Sequence, residues 1–166
     1  MKRWLLLLLA AALAVPALAQ ESPSVRYQGE LNIGYGAKGS LYTRGEPVWA
    51  NLSRFFLETI HGARITPYAY VGAGAGLAVL YDDSQAVLPV FADVRGYWPV
   101  GEKFEPYVVA DLGYGVGFDR LPGGFYGSFG AGFRALRKVN FALGYQRMHV
   151  GEVRFGSFFY KIGWTF

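Results

Sequence analysis

From residue 25 onward the chain repeats one pattern. Every second residue is large and apolar, and the residues between are mostly small or charged. A period of two is the signature of a β-strand with two unlike faces. It is clearest at the end of the chain, where Phe158, Tyr160, Ile162, Trp164 and Phe166 share one face, while Ser157, Phe159, Lys161, Gly163 and Thr165 share the other. Strands are expected at about 25–36, 52–64, 68–81, 86–98, 106–118, 124–136, 139–149 and 154–166. Each is long enough for the roughly 9–11 residues with which a tilted strand crosses a bilayer.

The two faces differ in a consistent way. One carries Leu31 and Ile33, Phe55 and Leu57, Val71 and Leu77, Val90 and Val94, Leu112 and Tyr114, Phe125 and Phe129, and Phe141 and Leu143. The other carries glycines, among them Gly72, Gly74, Gly76, Gly113, Gly115, Gly130 and Gly132, together with nearly every charge of the strands. Those charges are Arg26, Glu30, Arg54, Glu58, Asp93, Arg95, Asp111, Arg134 and Lys161, with the signs almost balanced. A soluble barrel would turn the apolar face inward, but so many tyrosines and phenylalanines would overfill an eight-stranded lumen. The pattern predicts the inverse: an all-β, eight-stranded antiparallel up-and-down transmembrane β-barrel, with apolar residues toward lipid and charges in the lumen. Closure of an even number of strands also removes the unpaired edges that lipid cannot satisfy. Charges in so narrow a lumen must pair, so a salt-bridged plug is expected; a gated ion path is the competing reading.

The beginning of the chain fits export. Lys2 and Arg3 precede the apolar run Leu5–Val15, and Ala17-Leu18-Ala19 forms a small-residue cleavage site. The run is shorter than the ~20 apolar residues of a membrane-spanning helix. Residues 1–19 are therefore expected to be a signal peptide and residues 20–166 a single outer-membrane barrel domain. The absence of Cys excludes a lipoprotein at this site, disulfides and thiol chemistry. An aromatic content of 17% and 23 glycines favour a barrel over a helical membrane protein. The formal charge of +4 includes Lys2 and Arg3, and the remaining basic residues are dispersed, so nucleic acid is not an expected partner.

With both ends of the barrel in the periplasm, 37–51, 82–85, 119–123 and 149–152 become external loops, and 65–67, 99–105 and 136–138 periplasmic turns. Trp98 and Trp164 then lie near one interface, and Tyr35, Tyr81 and Phe118 near the other, as aromatic girdles. The long loop 37–51 holds Tyr42, Arg44 and Trp49, residue types favoured at binding hot spots, and is the candidate surface contact.

The alternation, the signal peptide and the aromatic terminus together resemble the small eight-stranded outer-membrane barrels of the outer-membrane protein A and X type, in particular the short barrels of Bacteroidales-like bacteria. The resemblance implies a place in the bacterial outer membrane among its lipids and lipopolysaccharide. It also implies recognition of Tyr160, Ile162, Trp164 and Phe166 by the barrel-assembly machinery. No cofactor and no metal are implied. The expected role is structural, or contact with a protein partner through the external loops; the alternatives are a narrow ion or small-solute channel and, more remotely, a lipid A-modifying enzyme. For the enzyme, His149 is the one histidine near the outer rim, with Glu152 close in sequence and no His-x-Ser pattern beside it. Asp82-Asp83 reads as a solvated turn, and Gly72-Ala73-Gly74-Ala75-Gly76 lacks the spacing of a nucleotide loop. Arg44, Arg120 and Arg147 could pair with lipopolysaccharide phosphates.

Overall fold

A computed structural model describes residues 25–43, 46–50, 53–80, 86–101, 103–118, 123–150 and 153–166. Nine strands follow one another: β1 (Arg26–Thr43), β2 (Glu46–Ala50), β3 (Arg54–Thr66), β4 (Ala69–Leu80), β5 (Ala86–Tyr97), β6 (Phe104–Gly117), β7 (Gly124–Ala135), β8 (Val139–Val150) and β9 (Val153–Thr165). Apart from the short β2, each pairs antiparallel with its neighbours in sequence, and β1 also pairs with β9. Eight staves thus close into a barrel. At the seam, Glu30 lies opposite Thr165 and Gly36 opposite Phe159. The Gly29 N–H donates to the Phe166 carbonyl and the Phe166 N–H to that of Gly29, both at 2.9 Å.

The faces are inverted relative to a soluble protein. Leu57, Leu112, Phe129, Leu143, Phe158 and Ile162 are each more than half exposed on the outer wall. Glu30, Asp93, Arg95 and Asn140 are almost wholly buried inside. A soluble monomer rarely exposes so continuous an apolar belt, whereas a transmembrane barrel requires one. Trp98 and Trp164 lie on this outer face toward the end of the barrel that holds both termini.

The first expected strand is too short and the first expected loop too long. Beyond Gly36↔Arg54, the last rung with β3, β1 runs on to Thr43. There it pairs with β9 from Gly39↔Ser157 to Tyr42↔Arg154 and with β2 from Gly39↔Ala50 to Thr43↔Glu46. The segment 37–51 is therefore largely an arm of sheet that projects above the barrel. At ~3.3 Å per residue, the continuation of β1 reaches about 23 Å. Alternation does not reveal it, because Ala37-Lys38-Gly39-Ser40 has no apolar face; cross-strand backbone pairing holds it, with an extra β1 residue bulged between Gly36 and Gly39.

At the opposite end, β7 and β8 are joined by a tight turn in which Leu136 (φ 53°) and Arg137 (φ 60°) occupy the left-handed region. Asn-Gly suits such a turn and Leu-Arg does not. Two hydrogen bonds hold it: Lys138 N–H to the Ala135 carbonyl at 3.0 Å, and Leu136 N–H to the Lys103 carbonyl of the neighbouring turn at 2.8 Å.

Candidate functional site

The lumen is the most elaborate polar environment of the molecule, and it is tiered. Nearest the termini, Glu105 accepts from Arg134 Nε at 2.7 Å, again from Arg134 Nη2, and from Arg64 Nη1 at 3.2 Å. Arg134 Nη1 also donates to Gln28 at 2.7 Å, and Gln28 donates to Glu30 and to the Tyr97 hydroxyl, each at 3.1 Å. In the next tier, Arg95 bridges two carboxylates. It donates to Glu30 at 2.6 Å and, through Nε and Nη2, to Asp93 at 2.8 and 2.9 Å. Thr165 and Asn140 extend this tier to the seam, with Asn140 donating to Thr165 at 2.7 Å. Above it, Lys161 donates to Glu58 at 2.5 Å and Asn32 to the same oxygen at 3.2 Å. Near the upper end, Arg54 donates to Ser157 at 2.7 Å and to Gln146.

Tyrosines separate and support these tiers. Arg64 and Arg134 lie 4.4 and 5.1 Å from the centre of the Tyr97 ring. Arg95 lies 5.3 Å from Tyr70 and 5.4 Å from Tyr107. Arg favours such stacking because its planar, weakly hydrated guanidinium fits an aromatic face while its edge still donates. Phe91 stacks on Tyr126 at 5.2 Å, and Phe56 meets Phe159 edge-on at 6.3 Å toward the upper end. Tyr70, Tyr97, Tyr107 and Tyr126 were not among the residues expected inside. Their signal was parity: each stands an even number of residues from a lumen charge on its own strand or, for Tyr70, from the inward glycines.

Of the expected lumen residues, the structure brings Glu30, Arg54, Glu58, Asp93, Arg95, Arg134 and Lys161 into these tiers. Asp111 is buried opposite Asp93; it accepts from Ser128 at 2.6 Å through one oxygen, and the other oxygen has no protein partner. Arg26 departs from expectation. It is exposed, because it begins β1 below the lowest closed rung, and its register partner is another cation, Arg64. Arg64 and Glu105, expected at or beyond a strand end, are instead full members of the lowest tier.

Tyr160, Ile162, Trp164 and Phe166, expected as an assembly signal, lie exposed on the outer wall along β9 and its end. Backbone pairing places Tyr42 and Trp49 on the projecting arm; their side chains, and Arg44 altogether, lie outside the described residues. Asp82, Asp83, Arg120 and Glu152 lie outside them too. His149 packs its ring against Phe125 at 5.6 Å on the outer wall. The other histidine, His61, sits in a self-contained outward cluster. The Tyr27 hydroxyl lies 2.6 Å from Nδ1, Thr59 Oγ1 lies 2.9 Å from Nε2, and Thr59 Oγ1 lies 3.2 Å from the Glu30 carbonyl. These contacts satisfy the imidazole within an apolar wall. Among the described residues, no group of three or more His, Asp or Glu side chains is arranged to hold a metal ion.

No protein-family model matches the chain, and no curated protein sequence does. Solved structures do. The chain is similar to the attachment invasion locus protein Ail of Yersinia pestis, solved with the heparin analogue sucrose octasulfate. The identity is 15%, the TM-score 0.57, and the match spans 85% of this chain and 99% of that one. It is similar to Neisserial surface protein A at 12% identity and a TM-score of 0.59, over 86% and 99% of the two chains. It is also similar to the N-terminal β-barrel domain of Pseudomonas aeruginosa OprF, at 10% identity and a TM-score of 0.50, over 85% and 100%. The chain thus has the fold of the small eight-stranded transmembrane β-barrels.

Proposed function

We propose that the chain is a non-enzymatic barrel of the bacterial outer membrane, exported by residues 1–19, with a lumen plugged by its own side chains and an external arm that contacts a partner. The observation that carries the plug is the Glu30–Arg95–Asp93 bridge. It crosses the lumen between strands β1 and β5, with Tyr70 and Tyr107 packed against the guanidinium. An ion in transit would have to break this bridge, and breaking a buried pair costs several kcal/mol. The tiers above and below repeat the obstruction.

Planar bilayers holding the refolded protein are expected to stay silent under applied voltage. Stepwise conductance would overturn the plug and favour the channel reading; its dependence on Arg95 or Arg134 would then locate the path.

Support for a surface role comes from the arm formed by β2 and the end of β1. In the outer membrane it would stand clear of the lipid and present the segment that holds Tyr42, Arg44 and Trp49. A photo-crosslinking residue at position 49 in the native membrane is expected to give a discrete protein adduct. Adducts to lipopolysaccharide alone would instead make the barrel a structural element. Recognition of Tyr160, Ile162, Trp164 and Phe166 by the assembly machinery accords with their exposure along the seam strand.

A further inference from the structure

On the outer wall, strands β5 to β8 form an open depression of about 600 Å³. Ala92 and Ala110 line its floor with the backbone of Gly127, and Phe125, Phe129 and Tyr145 stand as its walls. Arg147 closes one end. Arg147 is exposed, and its parity turns it outward, against the inward parity of the lumen charges. Among the described residues no hydrogen bond or ion pair satisfies it. Its cross-strand neighbours on both sides are glycines, Gly127 on β7 and Gly156 on β9. The Phe125 ring lies over Gly127 and the Tyr145 ring over Gly156, so an aromatic ring covers each of the two cross-strand neighbours of Arg147.

An outward charge in a lipid-facing wall is costly at the bilayer midplane and tolerated near an interface. Arg147 is eight residues along β8 from Val139, at the terminus-bearing end. That distance is about 27 Å of strand and, at a 35–45° tilt, about 20 Å of height. Its backbone therefore lies about 5 Å short of the far edge of the roughly 25 Å apolar band, a gap that the long arginine side chain spans to the opposite headgroups, while the depression beside it extends into the acyl region.

We infer that Arg147 and the adjoining depression form a lipid site, in which the guanidinium takes a phosphate of lipid A and an acyl chain lies over Ala92 and Ala110. Charge complementarity selects the headgroup. The planar fork of Arg matches phosphate oxygens, and a phosphomonoester carries more charge than a phosphodiester. The site rests on the outer-membrane reading above, which turns this rim toward the leaflet that holds lipid A.

Native mass spectrometry of the refolded protein, with lipid A or phosphatidylglycerol added at equal concentration, tests it. One lipid A adduct is expected to persist on the unaltered protein and to outlast the phosphatidylglycerol adduct. Arg147→Gln removes charge-assisted hydrogen bonds and should weaken lipid A retention about tenfold. Ala110→Leu, which fills the floor but keeps the arginine, should weaken it as well. Retention unchanged in both variants, equal retention of phosphatidylglycerol, or a dimer whose formation displaces the lipid would each overturn the proposal. The heat-dependent gel mobility of the same sample in vesicles reports barrel insertion separately. A protein that fails to insert overturns the membrane reading and this site together; one that inserts yet ignores lipid A overturns only the site.

Discussion

Arg95→Ala is expected to destabilise the barrel by about 3–5 kcal/mol, the usual consequence of removing one partner from a buried ion pair. The two carboxylates that Arg95 joins, Glu30 and Asp93, are both essentially inaccessible to solvent. Without the guanidinium each keeps its desolvation cost and loses its strongest partner, and Tyr70 and Tyr107 lose the cation packed against their rings. Urea unfolding in lipid vesicles, followed by fluorescence of Trp98 and Trp164, measures the loss. Arg26→Ala is the control: an exposed cation at the rim should change stability by less than about 0.5 kcal/mol. The triple variant with Glu30→Gln and Asp93→Asn as well should recover part of the loss, because the orphaned charges go with the cation. A cost below about 1 kcal/mol for Arg95→Ala would mean that water solvates this tier, and the plug would have to be abandoned.

Gly144→Val should be nearly as damaging for a steric reason. Gly130 and Gly144 face each other across β7 and β8. A Cβ on Gly144 would run into the Phe129 carbonyl oxygen and would lie 2.7 Å from the Gly130 Cα and 2.8 Å from the Phe159 ring. Two of these obstacles are backbone, so no rotamer change relieves them, and the strands must separate. Overpacking of this kind costs about 1–3 kcal/mol, and the upper end is expected where backbone must move. The fraction of refolded protein with folded-barrel mobility, compared with that for Gly101→Ala, provides the measure. Gly101 lies in an open turn where an added Cβ meets nothing within 4 Å; its φ of 73° makes that substitution a test of backbone strain alone. Equal yields for the two variants would show that β7 and β8 are less closely apposed than described.

Strand positions were legible because period two is a local property. Except at the end of β1, the expected strand ends lie within two residues of the observed ones, as at Arg54, Leu80, Tyr97 and Ala135. The faces were legible for the same reason. Height in the barrel is not local. Whether Glu105 meets Arg64 and Arg134 depends on the stagger between β3, β6 and β7, which is set only when the sheet closes. The inward tyrosines were missed because the inner face was read from its charges and glycines and the outer face from its large apolar residues. The lumen buries Tyr70, Tyr97, Tyr107 and Tyr126, and Gly62 and Gly72 leave room for the ring of Tyr70 and Gly132 for that of Tyr107. The arm was missed because backbone pairing, not side-chain pattern, extends β1.

The seam between β1 and β9 also bears on how the molecule must form. It joins side chains 135 residues apart, Thr165 to Glu30, whereas every other pairing links consecutive staves. Seven hairpins can therefore assemble from short-range contacts, but until the last stave docks, the sheet keeps two raw edges and an unsealed polar tier. Closing so long a loop is an entropic step that nearby contacts cannot offset beforehand. The resulting order of events is zipping first and sealing last. Sealing completes the lipid-facing wall and the tier around Glu30 together, so a half-closed sheet has neither a sound exterior nor a satisfied interior.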